Sequence, residues 1–62
     1  MVDLGVLIGS LRRFGLVGPP YEVLGPAEPG WRGEPRMRIR LLESGKETDY
    51  AVASILADPS ED

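Results

Sequence analysis

The sequence contains no cysteine and no histidine. Without cysteine there is no disulfide framework and no thiolate metal site, and the redox compartment is left open. Without histidine the commonest zinc ligand and the usual general base are both missing. No apolar run approaches the roughly 20 residues of a membrane span. The opening stretch MVDLGVLIGSLRRFG lacks the basic start of a signal peptide and carries Asp3. The expectation is a cytoplasmic chain with no cofactor, no metal, no membrane contact and no small-molecule substrate. An excess of positive charge is absent as well. The net charge is −3, and Asp58, Glu61 and Asp62 account for it, because residues 1–57 hold seven acids and seven bases. The chain as a whole is therefore not a basic nucleic-acid binder. Six of the seven bases are nonetheless arginine, so local patches remain open.

Catalysis has little to work with. A site would need carboxylates or one of Ser10, Ser44, Ser54 and Ser60, and none of these sits in a recognisable base arrangement. Glu47 and Asp49 face arginines rather than shelter that would raise a carboxyl pKa. A chain of 62 residues also struggles to enclose a substrate pocket. The chain reads as non-enzymatic.

What is present reads as one small domain, residues 1–62. A chain of this size buries only roughly 60% of the surface its unfolded form exposes, so a homodimer or a bound partner is a natural source of extra stability. The clearest pattern is RMRIRLLESGKETDY, residues 36–50. Arg36, Arg38 and Arg40 alternate with Met37, Ile39 and Leu41, the period of a strand with one wet and one buried face. Glu43–Lys46 reverses the chain, and Glu47–Tyr50 returns. With Ser44-Gly45 as a two-residue turn, Glu43 opposes Lys46, Leu41 opposes Thr48, Arg40 opposes Asp49 and Ile39 opposes Tyr50. Met37, Ile39, Leu41, Thr48 and Tyr50 then share the buried face.

Around this hairpin the signals are weaker. Gly and Pro make up ten of the 21 residues from Gly15 to Pro35, which confines regular structure there to the island Tyr21–Leu24. Residues 3–14 fit either a strand from about Leu7 to Phe14 or a helix with Leu4, Leu7, Ile8 and Leu11 on one face. Gly5 and Gly9 favour the strand, because each costs a helix about 1 kcal/mol relative to Ala. After Tyr50 the period changes: Val52, Ile55 and Leu56 lie at helical spacing, with Asp49 as a candidate cap. Asp58-Pro59 stops that helix, and residues 59–62 are expected to fray as an acidic tail.

The fold expected is mainly β: a small antiparallel sheet of three to four strands over about 7–14, 20–25, 36–43 and 46–50, closed by one short C-terminal helix. The glycines at 15, 18 and 25 would let such a sheet curl into an SH3-like half-barrel. The alternative is α+β, an N-terminal helix on a three-stranded meander. The expected core is Ile8, Phe14, Tyr21, Val23, Met37, Ile39, Leu41, Tyr50, Val52, Ile55 and Leu56.

Two features could form an interaction surface. Arg36, Arg38 and Arg40 stand roughly 7 Å apart along one strand face, where they could follow a nucleic-acid backbone or clamp an acidic partner. The plainer reading pairs them with Asp49, Glu22 and Glu47. Trp31, followed by Arg32 in a Gly/Pro loop, could anchor an interface, although a lid folded onto an undersized core is the preferred reading. Gly15–Pro20 has no Lys-Ser/Thr and no helix start after it, so it is a turn and not a phosphate cradle.

The strings RRFGLVGPPYEVLGPA and LLESGKETDYAVASILADP resemble a family of short uncharacterised bacterial proteins. In that family a Gly-Pro turn leads into a Tyr-x-Val strand, and a Ser-Gly hairpin runs to a Tyr and an Asp-Pro terminus. The resemblance spans about Ile8 to Pro59 and implies a regulatory or partner-binding role rather than an activity. The expected function is thus a protein-interaction or regulatory module whose partner is another protein or a second copy. A small nucleic-acid-binding barrel using Arg36, Arg38 and Arg40 is the alternative.

Overall fold

The computed structural model describes residues 4–61. Four strands form one antiparallel sheet: β1 (Leu11–Arg13), β2 (Pro20–Pro26), β3 (Arg36–Leu41) and β4 (Glu47–Ala51). They lie in chain order as an open meander, and the short helix α1 (Val52–Ala57) follows β4 without a break. The protein is therefore mainly β with one short C-terminal helix, as the alternation and the change of period require.

Among the described residues of this stretch, 4–14, the expected strand is present but shorter, and the alternative helix is not formed. Leu4–Leu7 form a single 3-10 turn, and the strand is only Leu11–Arg13. Gly9, at φ 85°, ends the turn and sends the chain into the sheet. Its N–H donates to the Val23 carbonyl at 2.7 Å. This corrects the core: the turn carries Leu7 inward, while Ile8 is exposed.

The β3–β4 hairpin keeps its faces but not its turn. Arg40 opposes Glu47, Arg38 opposes Asp49, Ile39 opposes Thr48 and Met37 opposes Tyr50. This register is two residues away from the one a Ser44-Gly45 turn would set. A four-residue loop, Leu42–Gly45, makes the reversal. Gly45 adopts φ 74°, its N–H donates to the Leu41 carbonyl at 2.7 Å, and the Leu41 N–H donates to Lys46 at 2.8 Å. An even shift preserves which side chains face the core. Thr48 therefore stays on the inner face, yet it is exposed because α1 does not cover it.

The core is Leu7, Tyr21, Val23, Met37, Ile39, Val52 and Ile55, with Phe14, Leu41 and Tyr50 packed around it. Leu56 is the second correction. Only Val52 and Ile55, three apart, face inward from so short a helix, and Leu56 is left on its flank. Asp49 belongs to β4 and does not cap α1; Ala51 is the N-cap and makes no side-chain bond. Asp58, extended at φ −78° and ψ 146°, ends the helix before Pro59.

The last described residues depart from the expectation of a frayed tail. Ser60 bridges Arg12, the Arg13 N–H donates to Pro59 at 3.1 Å, and the Glu61 N–H donates to Leu11 at 2.9 Å. The chain leaves the β4 side, crosses the inner face as α1 and lands beside β1.

Candidate interaction surface

The loop between β2 and β3 is ordered by its own bonds. The Gly33 N–H donates to Gly30 at 2.8 Å, the Gly30 N–H donates to Glu34 at 2.9 Å, and Gly33 sits at φ 81°. These bonds define a tight hairpin turn with a left-handed glycine bulge. Trp31 and Arg32 occupy its two central positions. The Glu34 carboxylate folds under the turn, accepting the Arg32 N–H at 3.1 Å and lying where a side chain at Gly30 would be.

Trp31 does not close over the core. It is 88% exposed, with the Arg32 guanidinium carbon 4.9 Å from its ring centroid. The lid reading fails because the turn is complete without the indole, and its geometry holds positions 31 and 32 outward. A Trp side chain presents roughly 150–250 Å², and at about 25 cal/mol per Å² its burial would release about 4–6 kcal/mol. That energy is left unused within the monomer.

The arginine face is different. Cross-strand neighbours share a face, so the outer side of the sheet carries Arg13, Arg36, Arg38 and Arg40 alongside Glu22, Glu47 and Asp49. Arg40 donates to Glu22 at 2.7 Å, while Arg38 lies 3.3 Å from Asp49 and 3.7 Å from Glu47. Arg36 makes no ion pair among the described residues. Two arginines of the stripe are thus committed to carboxylates, in pairs worth about 0–1 kcal/mol each at a surface. The structure does not bring the stripe and the Trp31 turn into one site: among the described residues no hydrogen bond or ion pair joins them.

A polar cluster on the inner face, unforeseen in the sequence, holds the helix end to the sheet. The Tyr21 and Tyr50 hydroxyls both donate to Asp58 Oδ2, at 2.7 and 3.2 Å, and the Gly15 N–H donates to Oδ1 at 3.3 Å. Arg12 donates to the Ile55 and Asp58 carbonyls at 3.1 and 3.0 Å, placing its cation at the helix C-terminus. Phe14 packs at 4.5 Å from Tyr21 and edge-on at 5.2 Å from Tyr50. Burial, and then the bond to Asp58, push the Tyr21 hydroxyl pKa well above its ordinary value. Arg12 Nη1 and the two tyrosine hydroxyls thus fasten the helix end to the sheet, while Arg12 Nε is buried without a hydrogen-bond partner among the described residues. Among the described residues no group of acids is placed to hold a metal ion.

The fold thus defines a class: a small four-stranded meander closed on one face by a short C-terminal helix, with its other face polar and uncovered. The chain belongs to the family of unknown function DUF5397, whose profile spans residues 2–62. No curated protein matches it.

Proposed function

We propose that this chain is a non-enzymatic protein-interaction module of regulatory type, acting in the bacterial cytoplasm, whose docking element is the Trp31–Arg32 turn. The observation that carries the reading is an exposed tryptophan on a hydrogen-bonded turn. Trp and Arg dominate interface hot spots, and the three bonds of the turn mean that little ordering entropy is lost when Trp31 is buried by a partner. A second copy of the chain is one such partner. The nucleic-acid reading is weaker, since Arg38 and Arg40 would have to leave Asp49, Glu47 and Glu22 to reach phosphates.

The test is capture from the native cytoplasm by the intact chain, compared with Trp31→Ala and Arg38→Ala. The expected result is a protein retained by the native chain and by Arg38→Ala and lost with Trp31→Ala. A protein held equally by all three would remove the turn from the interface. A captured nucleic acid, released by salt and lost with Arg38→Ala, would establish the other class.

A further inference from the structure

β4 is the last strand of the sheet, and the register fixes which of its backbone groups are in use. The Leu41 N–H donates to Lys46 and the Val52 N–H to Pro35, at 2.8 and 3.1 Å. In an antiparallel ladder Lys46, Thr48, Tyr50 and Val52 therefore bond inward to β3. The N–H and C=O of Glu47 and Asp49, and the N–H of Ala51, point away from the sheet, where no further strand lies among the described residues. The opposite side is not equivalent, because residues 59–61 run along β1. An uncovered edge of this kind is a template for an added strand.

The side chains along the edge select what can pair there. Its outer-face members are Glu47 and Asp49, and a single guanidinium, Arg38, serves both carboxylates. Asp49 Oδ1 is buried, and its 3.3 Å contact with Arg38 is an ion pair without hydrogen-bond geometry. A second copy of β4 laid antiparallel would set these acids against one another, and like charges directly opposed are destabilising. Glu47 and Asp49 share the one Arg38 guanidinium at 3.7 and 3.3 Å, so the three together keep one net negative charge, which a cation in an added strand about 5 Å away would oppose. On the inner face the edge offers Thr48, exposed, and Tyr50, part-buried. An apolar residue beside them would lengthen the core.

We infer that the β4 edge accepts an extended segment of a partner protein as a fifth strand, one in which Lys or Arg alternates with apolar residues. This surface is independent of the Trp31 turn. The probe is a capped six-residue peptide alternating arginine and valine, titrated into the intact chain and followed by amide NMR. The amides of Glu47, Asp49 and Ala51 should shift and gain exchange protection. A glutamate–valine peptide, and an arginine–valine peptide N-methylated along its pairing edge, should not bind. Glu47→Gln should weaken binding about 1.5- to 5-fold, the range of one cross-strand charge pair. Asp49→Pro should abolish it, because the Asp49 N–H is not used by the sheet, and Trp31→Ala should leave it unchanged. Silent β4 amides at millimolar arginine–valine peptide would overturn the inference. Equal binding of the N-methylated peptide would do the same, since it would show charge attraction without strand pairing.

Discussion

The Tyr21 hydroxyl donates to Asp58 Oδ2 at 2.7 Å across 37 positions of sequence. This bond joins the middle of the sheet to the residue that ends α1. A helix of six residues is too short to persist alone, so its place depends on Val52 and Ile55 inside and on anchors at its end. Asp58 supplies the anchor. Its two oxygens accept from Tyr21, Tyr50 and Gly15, while Arg12 takes up the helix carbonyls.

Removing that bond should cost stability and change its pH dependence. Tyr21→Phe is expected to lower unfolding free energy by about 1.5–3 kcal/mol, the range for a hydrogen bond to a charged group. Burial, and then Asp58, raise the Tyr21 pKa in the folded chain, and Tyr50 is raised in the same direction. The unfolded tyrosine ionises near pH 10. Above that pH the unfolded state binds fewer protons than the folded one, so stability contributed by the neutral hydroxyl is full below pH 10 and lost above it. Denaturant titrations from pH 8 to 12 should show this alkaline decline, shallower in Tyr21→Phe by up to about 1.4 kcal/mol per pH unit. An equally steep decline in the variant would exclude Tyr21 as its source.

Sequence pattern reached the sheet more easily than the anchor. The alternation of Met37, Ile39 and Leu41 with three arginines determines a strand and its faces, and those faces survive a two-residue change of register. Turn length is decided by how Leu42–Gly45 coils, where Ser-Gly is compatible with more than one loop. Leu7 and Ile8 are adjacent and equally apolar, so which one enters the core depends on the 3-10 turn and on the left-handed Gly9. Asp58 carried a legible local message, a helix stop before proline. Its bonds to residues 8, 37 and 43 positions away have no periodic trace. Of the candidate surface, the pairing of Arg38 and Arg40 was foreseeable from nearby acids. The outward setting of Trp31 follows from the bonds of its turn.

The C-terminal residues should detach without unfolding the sheet. Arg13 Nε and Glu61 Oε1 are 2.7 Å apart, and the Arg13 hydrogen bond holds the Glu61 carboxyl below its ordinary pKa. A depressed carboxyl contributes above its unfolded pKa, near 4.3, and stops contributing as pH falls through the lower folded value. Arg13→Ala should therefore speed amide exchange at Glu61, whose N–H bonds Leu11, and leave exchange in β2 and β3 unchanged. Acidification of the native chain below pH 4 should act the same way. Global loss of protection would show that this segment is integral to the core.

Two glycines should respond oppositely to alanine. At Gly18 a Cβ would meet the carbonyl oxygen of Phe14, the group that accepts the Gly18 N–H at 2.9 Å. Backbone cannot step aside as a side chain can, and the cost should be about 1–3 kcal/mol. At Gly25 nothing lies within 4 Å of a Cβ and φ is not in the left-handed region. There alanine should be neutral, or stabilising by up to about 1 kcal/mol through the unfolded chain. Thermal melts of the two variants decide the matter, and equal destabilisation would contradict the difference in space.

Trp31 and Ile55 make the sharpest contrast. Ile55 is fully buried among the core residues, and Ile55→Ala should remove about 2–5 kcal/mol. Trp31 is the larger side chain, yet Trp31→Ala should change stability by no more than about 0.5 kcal/mol, as at other surface positions. Circular dichroism must follow both transitions. Trp31 is the only tryptophan, and its emission in the folded chain should already resemble that of indole in water, with little change on unfolding. A blue-shifted folded emission together with a large loss in Trp31→Ala would mean that the indole packs on its own chain, and the energy assigned to a partner would already be spent.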